Sequence, residues 1–205
     1  MLSFTRYKSK EFISLISLCS VKSKTKRHLC QLQIIVFEHN CIEYTIHGKE
    51  HRDERELNRV LPAVIYRNGD QDWYKNGKLH RDDRDDRDEN GKTLPAVTWG
   101  NGTQEWYKNG KMHRDERDEN GKVLPAAIYS NGNQYWYVNN KLHRDDRDEN
   151  GRILPAVIYT DGTQQWFRNG LLHRDDLDEN GKVLPASIWR NGTQSWYKNG
   201  ENINR

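Results

Sequence analysis

Cysteine is missing from most of this chain: Cys19, Cys30 and Cys41 all fall in the first fifth of its 205 residues, and none follows. A secreted domain stapled by disulfides would carry cysteines in its framework, so the pattern points to a reducing compartment, the cytoplasm. Long apolar runs are lacking too. The stretch FISLISLCSV (Phe12 to Val21) has about ten residues, too few to span a bilayer. A basic run follows it without a small-residue cleavage site, which argues against a signal peptide. Hydrophobic residues make up only 34% and charged residues 31%, a balance that alone would favour disorder. Seven Trp and ten Tyr oppose that, since disordered segments are poor in aromatics. A folded protein with a thin core is expected.

Net charge is also small, +3, and unevenly placed. Residues 1–31 hold Arg6, Lys8, Lys10, Lys22, Lys24, Lys26 and Arg27 against Glu11 alone, a net +6 that leaves the remainder near −3. The body therefore gives no support to a nucleic-acid role. Membrane contact is expected only as a weak attraction of the basic arm, KSKTKR (Lys22 to Arg27). Within the arm, EFISLISL fits a short amphipathic helix that would cap the rest.

What is present is a repeat. Pro62, Pro95, Pro125, Pro155 and Pro185 each sit in LPA, spaced by 33 residues once and then by 30. Trp73, Trp106, Trp136, Trp166 and Trp196 keep the same period, as do His80, His113, His143 and His173. A decayed copy comes first, with Tyr44 in place of Trp and His47-Gly48 in place of Asn-Gly. Residues 32–205 thus read as about five and a half units in a linear array, whose divergent ends suit terminal units.

Each unit is written in β code. AVIY and TQxWY are β-branched and aromatic, and Asn-Gly pairs separate the runs, the strongest short hairpin signal. With Asn131-Gly132 and Asn139-Asn140 as two-residue turns, Ala127, Trp136 and His143 would form one cross-strand row. Keeping the next unit on the same face requires an odd turn, which Glu149-Asn150-Gly151 provides if Gly151 takes the left-handed position of a bulge. The expected fold is all-β: an antiparallel meander or solenoid with three strands per unit, in a single twisted or trough-shaped sheet.

The motif HRDDRDENG (His143 to Gly151) has the H-R-D-x-x-x-x-N spacing of a kinase catalytic loop. It recurs at His51–Asn58, His113–Asn120 and His173–Asn180, whereas catalysis needs it once, and the other kinase motifs are missing. No Ser or Cys nucleophile recurs beside the His, so no catalytic residue is assigned. The same loops contain D-x-D-x-N-G, which makes Asp146, Asp148, Asn150, Asp176, Asp178 and Asn180 minor candidates for Ca²⁺. Position twelve of that pattern is Val157, so the bidentate Glu that closes a calcium loop is missing. A solvated hairpin end accounts for the motif better, and no cofactor is expected. Histidines three strands apart would be about 14 Å from each other, too far to share one zinc.

The Trp row (Trp73, Trp106, Trp136, Trp166, Trp196) is the candidate interaction face. Evenly spaced platforms suit a protein partner or, as the alternative, sugar or choline groups. Filling the shallow core is the competing role for the same residues.

The unit WYKNGKLHRD…LPAVIYxNGTQ resembles MORN-like hairpin repeats, in particular the NGKLHR…PA arrays of proteins from large DNA viruses and bacteria. The resemblance spans residues 32–205 and implies a non-enzymatic scaffold with a protein partner, in the host cytoplasm if the protein is viral. Its longer period and lack of a regular Y-x-G-x-W set it apart from ordinary MORN units.

Overall fold

The computed structural model describes the backbone of residues 14–15 and 32–36, and backbone and side chains of 41–53, 55–56, 59–81 and 86–204. Among these residues there is no helix. The chain is an antiparallel meander of hairpins that builds one long, open sheet.

Two short strands of each unit enter that sheet. Ala127–Ile128 pairs with Gln134–Tyr135, which pairs in turn with Val157–Ile158 of the next unit. The same alternation runs from Cys41–Ile46 to Gln194–Ser195. The second hairpin stands outside it: Tyr137–Val138 pairs only with Lys141–Leu142. Successive second hairpins are linked by a turn amide, as where Gly170 N–H donates to the Leu142 carbonyl at 2.8 Å. The charged loop forms a third column, closed by the single bridge between Arg147 and Ile153. The expected sheet with three strands per unit is therefore corrected to two, with the other hairpins set beside it.

The turns explain the difference. At Asn139-Asn140 both residues have positive φ (51° and 67°), the two-residue turn expected there. At Asn131-Gly132 only Gly132 does (87°). Gly132 N–H donates to the Tyr129 carbonyl and Tyr129 N–H to that of Asn133, so the loop has three residues, Ser130 to Gly132. The Asn131 side chain stabilises it by accepting the Asn133 N–H at 3.0 Å. One added residue shifts the register by one, so Ala127 faces Tyr135 rather than Trp136. The pairing of Tyr137 with Leu142 is as expected. So is the odd loop Glu149-Asn150-Gly151, with Gly151 at φ 75° and its N–H on the Asp148 carbonyl.

The core follows the inner row of the sheet. Ala63, Val64, Ala96, Val97, Ala126, Ala127, Ala156, Val157 and Ala186 are all buried. Tyr44 stands in for Trp in the first copy as expected: its N–H donates to the Ala63 carbonyl, and His47-Gly48 forms the tight turn. Most of residues 1–31 lie outside the described residues. At Ser14–Leu15 the chain is a strand paired with Ile34 and Ile35, not the expected helix. The edge of Leu32–Val36 offers unpaired backbone groups that a strand satisfies and a helix does not.

Candidate interaction surfaces

The Trp row proves to be core. Trp73, Trp106, Trp136 and Trp166 are 4–7% exposed, and only Trp196 is half-buried. Each indole N–H donates to a backbone carbonyl thirteen residues earlier, as from Trp136 to Val123 at 2.7 Å and from Trp166 to Ile153 at 2.7 Å. A buried indole needs such a partner, and here it ties the ring to the strand entering its own unit. The arginine of the following H-R-D covers the ring: Arg144 lies 3.9 Å above Trp136, and Arg81, Arg114 and Arg174 lie 4.0 Å above Trp73, Trp106 and Trp166. Arg52 caps Tyr44 in the same way at 3.7 Å. With an arginine over one face and only 4–7% of each residue exposed, these four Trp residues offer no open ring face to a sugar or choline group. Trp136 and Trp166 do contribute to the wall of the trough described below.

Burying those guanidiniums has a cost, and a carboxylate offsets it. Burial pulls the pKa of Arg144 below its ordinary value, and the hydrogen bond and charge of Asp146 push it back. Asp146 also accepts the Val123 N–H of the preceding unit at 2.8 Å and pairs with Arg117 of that unit at 3.0 Å. Asp176 repeats this with Arg174, the Ile153 N–H and Arg147 at 3.1, 2.9 and 3.3 Å. Glu116 fills the place in its unit, against Arg114, the Thr93 N–H and Arg87. In the 33-residue spacing the partner of Arg81 moves from two residues on to five, and Asp86 takes it. The three extra residues fall between Arg81 and Asp86, where residues 82–85 lie outside those described.

The D-x-D-x-N-G oxygens thus divide between two tasks. Asp146 and Asp176 reach back to the preceding unit. Asp148 folds over its own loop, its Oδ1 accepting the N–H groups of Asn150 (2.9 Å) and Arg152 (2.8 Å), and Asp178 does the same for Asn180 and Lys182. Among the described residues no three His, Cys, Asp or Glu side chains gather as a metal site.

The histidines also join units. Nδ1 of His51, His143 and His173 accepts the main-chain N–H of Asn76, Asn169 and Asn199, the turn residues of the next unit, at 3.0–3.1 Å. His80 does the same to Asn109 at 3.2 Å. These bonds require an unprotonated Nδ1.

Two surfaces remain open. On the outer face of the sheet, Ile128, Gln134, Ile158, Gln164, Ile188 and Gln194 alternate across strands. Together with Leu-Pro segments of three units, they line a trough of about 870 Å³. At the hairpin tips runs a column of aromatics, Tyr66, Trp99, Tyr129, Tyr159 and Trp189, one per unit. Trp99, Tyr129 and Trp189 are 41–46% exposed. The final aromatic of AVIY recurs with the same period as the conspicuous Trp, so this column was visible in the sequence but eclipsed. No family model and no curated protein matches the chain.

One inner-row position varies between units: Asp72, Glu105, Tyr135, Gln165 and Ser195. Burial raises the Asp72 carboxyl to about 6, with Asp70 and Glu105 adding to the rise and the Tyr66 hydroxyl opposing it. A carboxyl whose folded pKa is raised favours the folded state most below its ordinary value, and that benefit is lost as pH rises through about 6. Asp72→Asn is expected to melt a few degrees above the parent at pH 7.5 and level with it near pH 4. Melting curves of both proteins across this range check the difference.

Proposed function

We propose that this chain is a non-enzymatic repeat scaffold of the MORN-like type, with about five and a half 30-residue units, that holds a protein partner along its outer face. The trough of Ile and Gln is the observation that carries the reading. It crosses three units, combines apolar and amide side chains with the charged groups of Asp118, Arg144, Asp148, Arg152 and Arg174, and has no strand or loop of the described residues laid over it. Interfaces combine apolar contact of this kind with hydrogen-bonding rims. The recurring His, Asp and Arg groups support the non-enzymatic part, because bonds within and between units already engage them. The cytoplasm, of a host cell if the protein is viral, is the compartment that fits the cysteine pattern.

The test is proximity labelling in the native cell with the parent and with Ile158→Lys/Ile188→Lys. Both isoleucines are only half-buried, so the variant should remain folded. A set of proteins labelled by the parent and lost with the variant is the expected result. Identical labelling by two equally stable proteins would remove the trough as the interface.

A further inference from the structure

We propose that the aromatic column at the hairpin tips is a second binding site, separate from the trough, and that its ligand is a proline-rich segment in the polyproline II conformation. The column comes from the pairing itself. Cross-strand neighbours at the tips run Tyr66, Asp70, Trp99, Thr103, Tyr129, Asn133, Tyr159, Thr163 and Trp189, so one short polar residue separates each aromatic from the next. Successive aromatics are two strands apart, roughly 9.6 Å at about 4.8 Å per strand. Tyr135 sits between two of them, its ring 5.0 Å from Tyr129 and 6.0 Å from Tyr159, which agrees with that step. A polyproline II helix repeats every three residues, roughly 9.3 Å. Prolines at every third position therefore meet successive rings over two or three platforms before the sheet twist separates them.

Spacing alone would also admit a linear sugar polymer with a two-residue repeat. Hydrogen-bond chemistry decides against it. Sugars bring many hydroxyl donors and are best met by free acceptors, yet each polar side chain between these rings already holds at least one N–H. The Asp70 carboxylate holds the Gly100 N–H and the Asn68 amide, and Thr103 Oγ1 holds the Ser130 N–H. Asn133 Oδ1 holds the Thr160 N–H, and Thr163 Oγ1 the Arg190 N–H. Donors are what the column leaves open: among the described residues, the indole N–H groups of Trp99 and Trp189 and the Tyr129 hydroxyl have no hydrogen-bond partner. Proline-rich chain is the complementary ligand. It has exposed carbonyls, few N–H groups and little conformational entropy to lose, and aromatic grooves with indole donors recognise it. Arg67 and Arg190 balance Asp70 and Asp161 along the tips, so the site makes no demand for a charged ligand.

Titrating the full-length protein with decaproline tests this, with a Gly-Ser decapeptide and a hexamer of β-1,4-linked glucose as comparisons, read by calorimetry. Decaproline should bind, and the other two should not. Trp189→Ala should weaken binding about tenfold. Trp189→Phe, which keeps the ring and removes the donor, should fall between. Both substitutions are at a half-exposed position, and an unchanged melting point verifies the fold. Absence of decaproline binding, equal affinity of both variants and the parent, or preference for the glucose hexamer would each overturn the assignment. Ile158→Lys/Ile188→Lys should bind decaproline normally, so failure of the trough reading and failure of this one are separable.

Discussion

Trp136→Ala is expected to lower folding stability by about 3–5 kcal/mol, the range for removing a large buried aromatic. The loss has three parts. A side chain that is 5% exposed leaves a cavity, the Val123 carbonyl loses its indole donor, and Arg144 loses the ring it lies on. The last part makes the site more sensitive than area alone implies, because the guanidinium stays buried without its cover. Trp196→Ala is the internal comparison. Trp196 is half-buried and, among the described residues, no arginine covers it, since Ile203 and Asn204 occupy the positions of His and Arg. Its loss should cost less than half as much. Urea denaturation of both variants checks the ratio, and a biphasic curve for Trp136→Ala would mean that the array has split into two folding units.

Asp146→Ala should be comparably damaging, about 3–5 kcal/mol, because it strands charge rather than creating space. Asp146 receives Arg144 from its own unit and the Val123 N–H and Arg117 from the preceding one. Without it a buried cation, a second cation and a half-buried amide all lose their acceptor. Asp145→Ala, one residue away, should be nearly neutral, since Asp145 is 72% exposed and among the described residues meets only His143. Hydrogen exchange at the Val123 amide isolates the effect: protection should vanish in Asp146→Ala and persist in Asp145→Ala. A loop used purely as a solvated bend would treat the two aspartates alike.

The contrast between these neighbours marks where sequence reasoning reached and where it stopped. Period, β content and hairpin positions were legible because Asn-Gly pairs and aromatic runs are local signals. Glu149-Asn150-Gly151 was legible as an odd loop because parity constrains it. Asn131-Gly132 was not, because the same dipeptide serves a two-residue and a three-residue turn. What separates them is the Asn131 side chain, whose Oδ1 accepts the main-chain N–H of Asn133 across the loop. The one extra loop residue moved Trp136 out of the Ala127 row. The role of Asp146 was hidden for another reason: its partners lie 23 and 29 residues earlier, and no local pattern distinguishes it from Asp145 or Asp148. The Trp row, strong as a periodic signal, carried no information about which side water would reach.

The carboxylate bonds that join one unit to the next recur at a nearly constant separation, Val123 to Asp146 and Ile153 to Asp176 alike. The junction at His113 differs in detail, with Asn140 Oδ1 accepting the Met112 N–H. Junctions therefore follow one plan, and the array has no privileged centre. A block running from Pro125 to the residue before Pro155 can be duplicated or excised, and the new neighbours meet with the donors and acceptors the old ones had. The Arg81 to Asp86 pairing extends that tolerance to unequal exchange, since a copy with three surplus residues still closes. Adding or removing a unit would thus lengthen or shorten the array without a new kind of junction, and the number of tip aromatics would change in step.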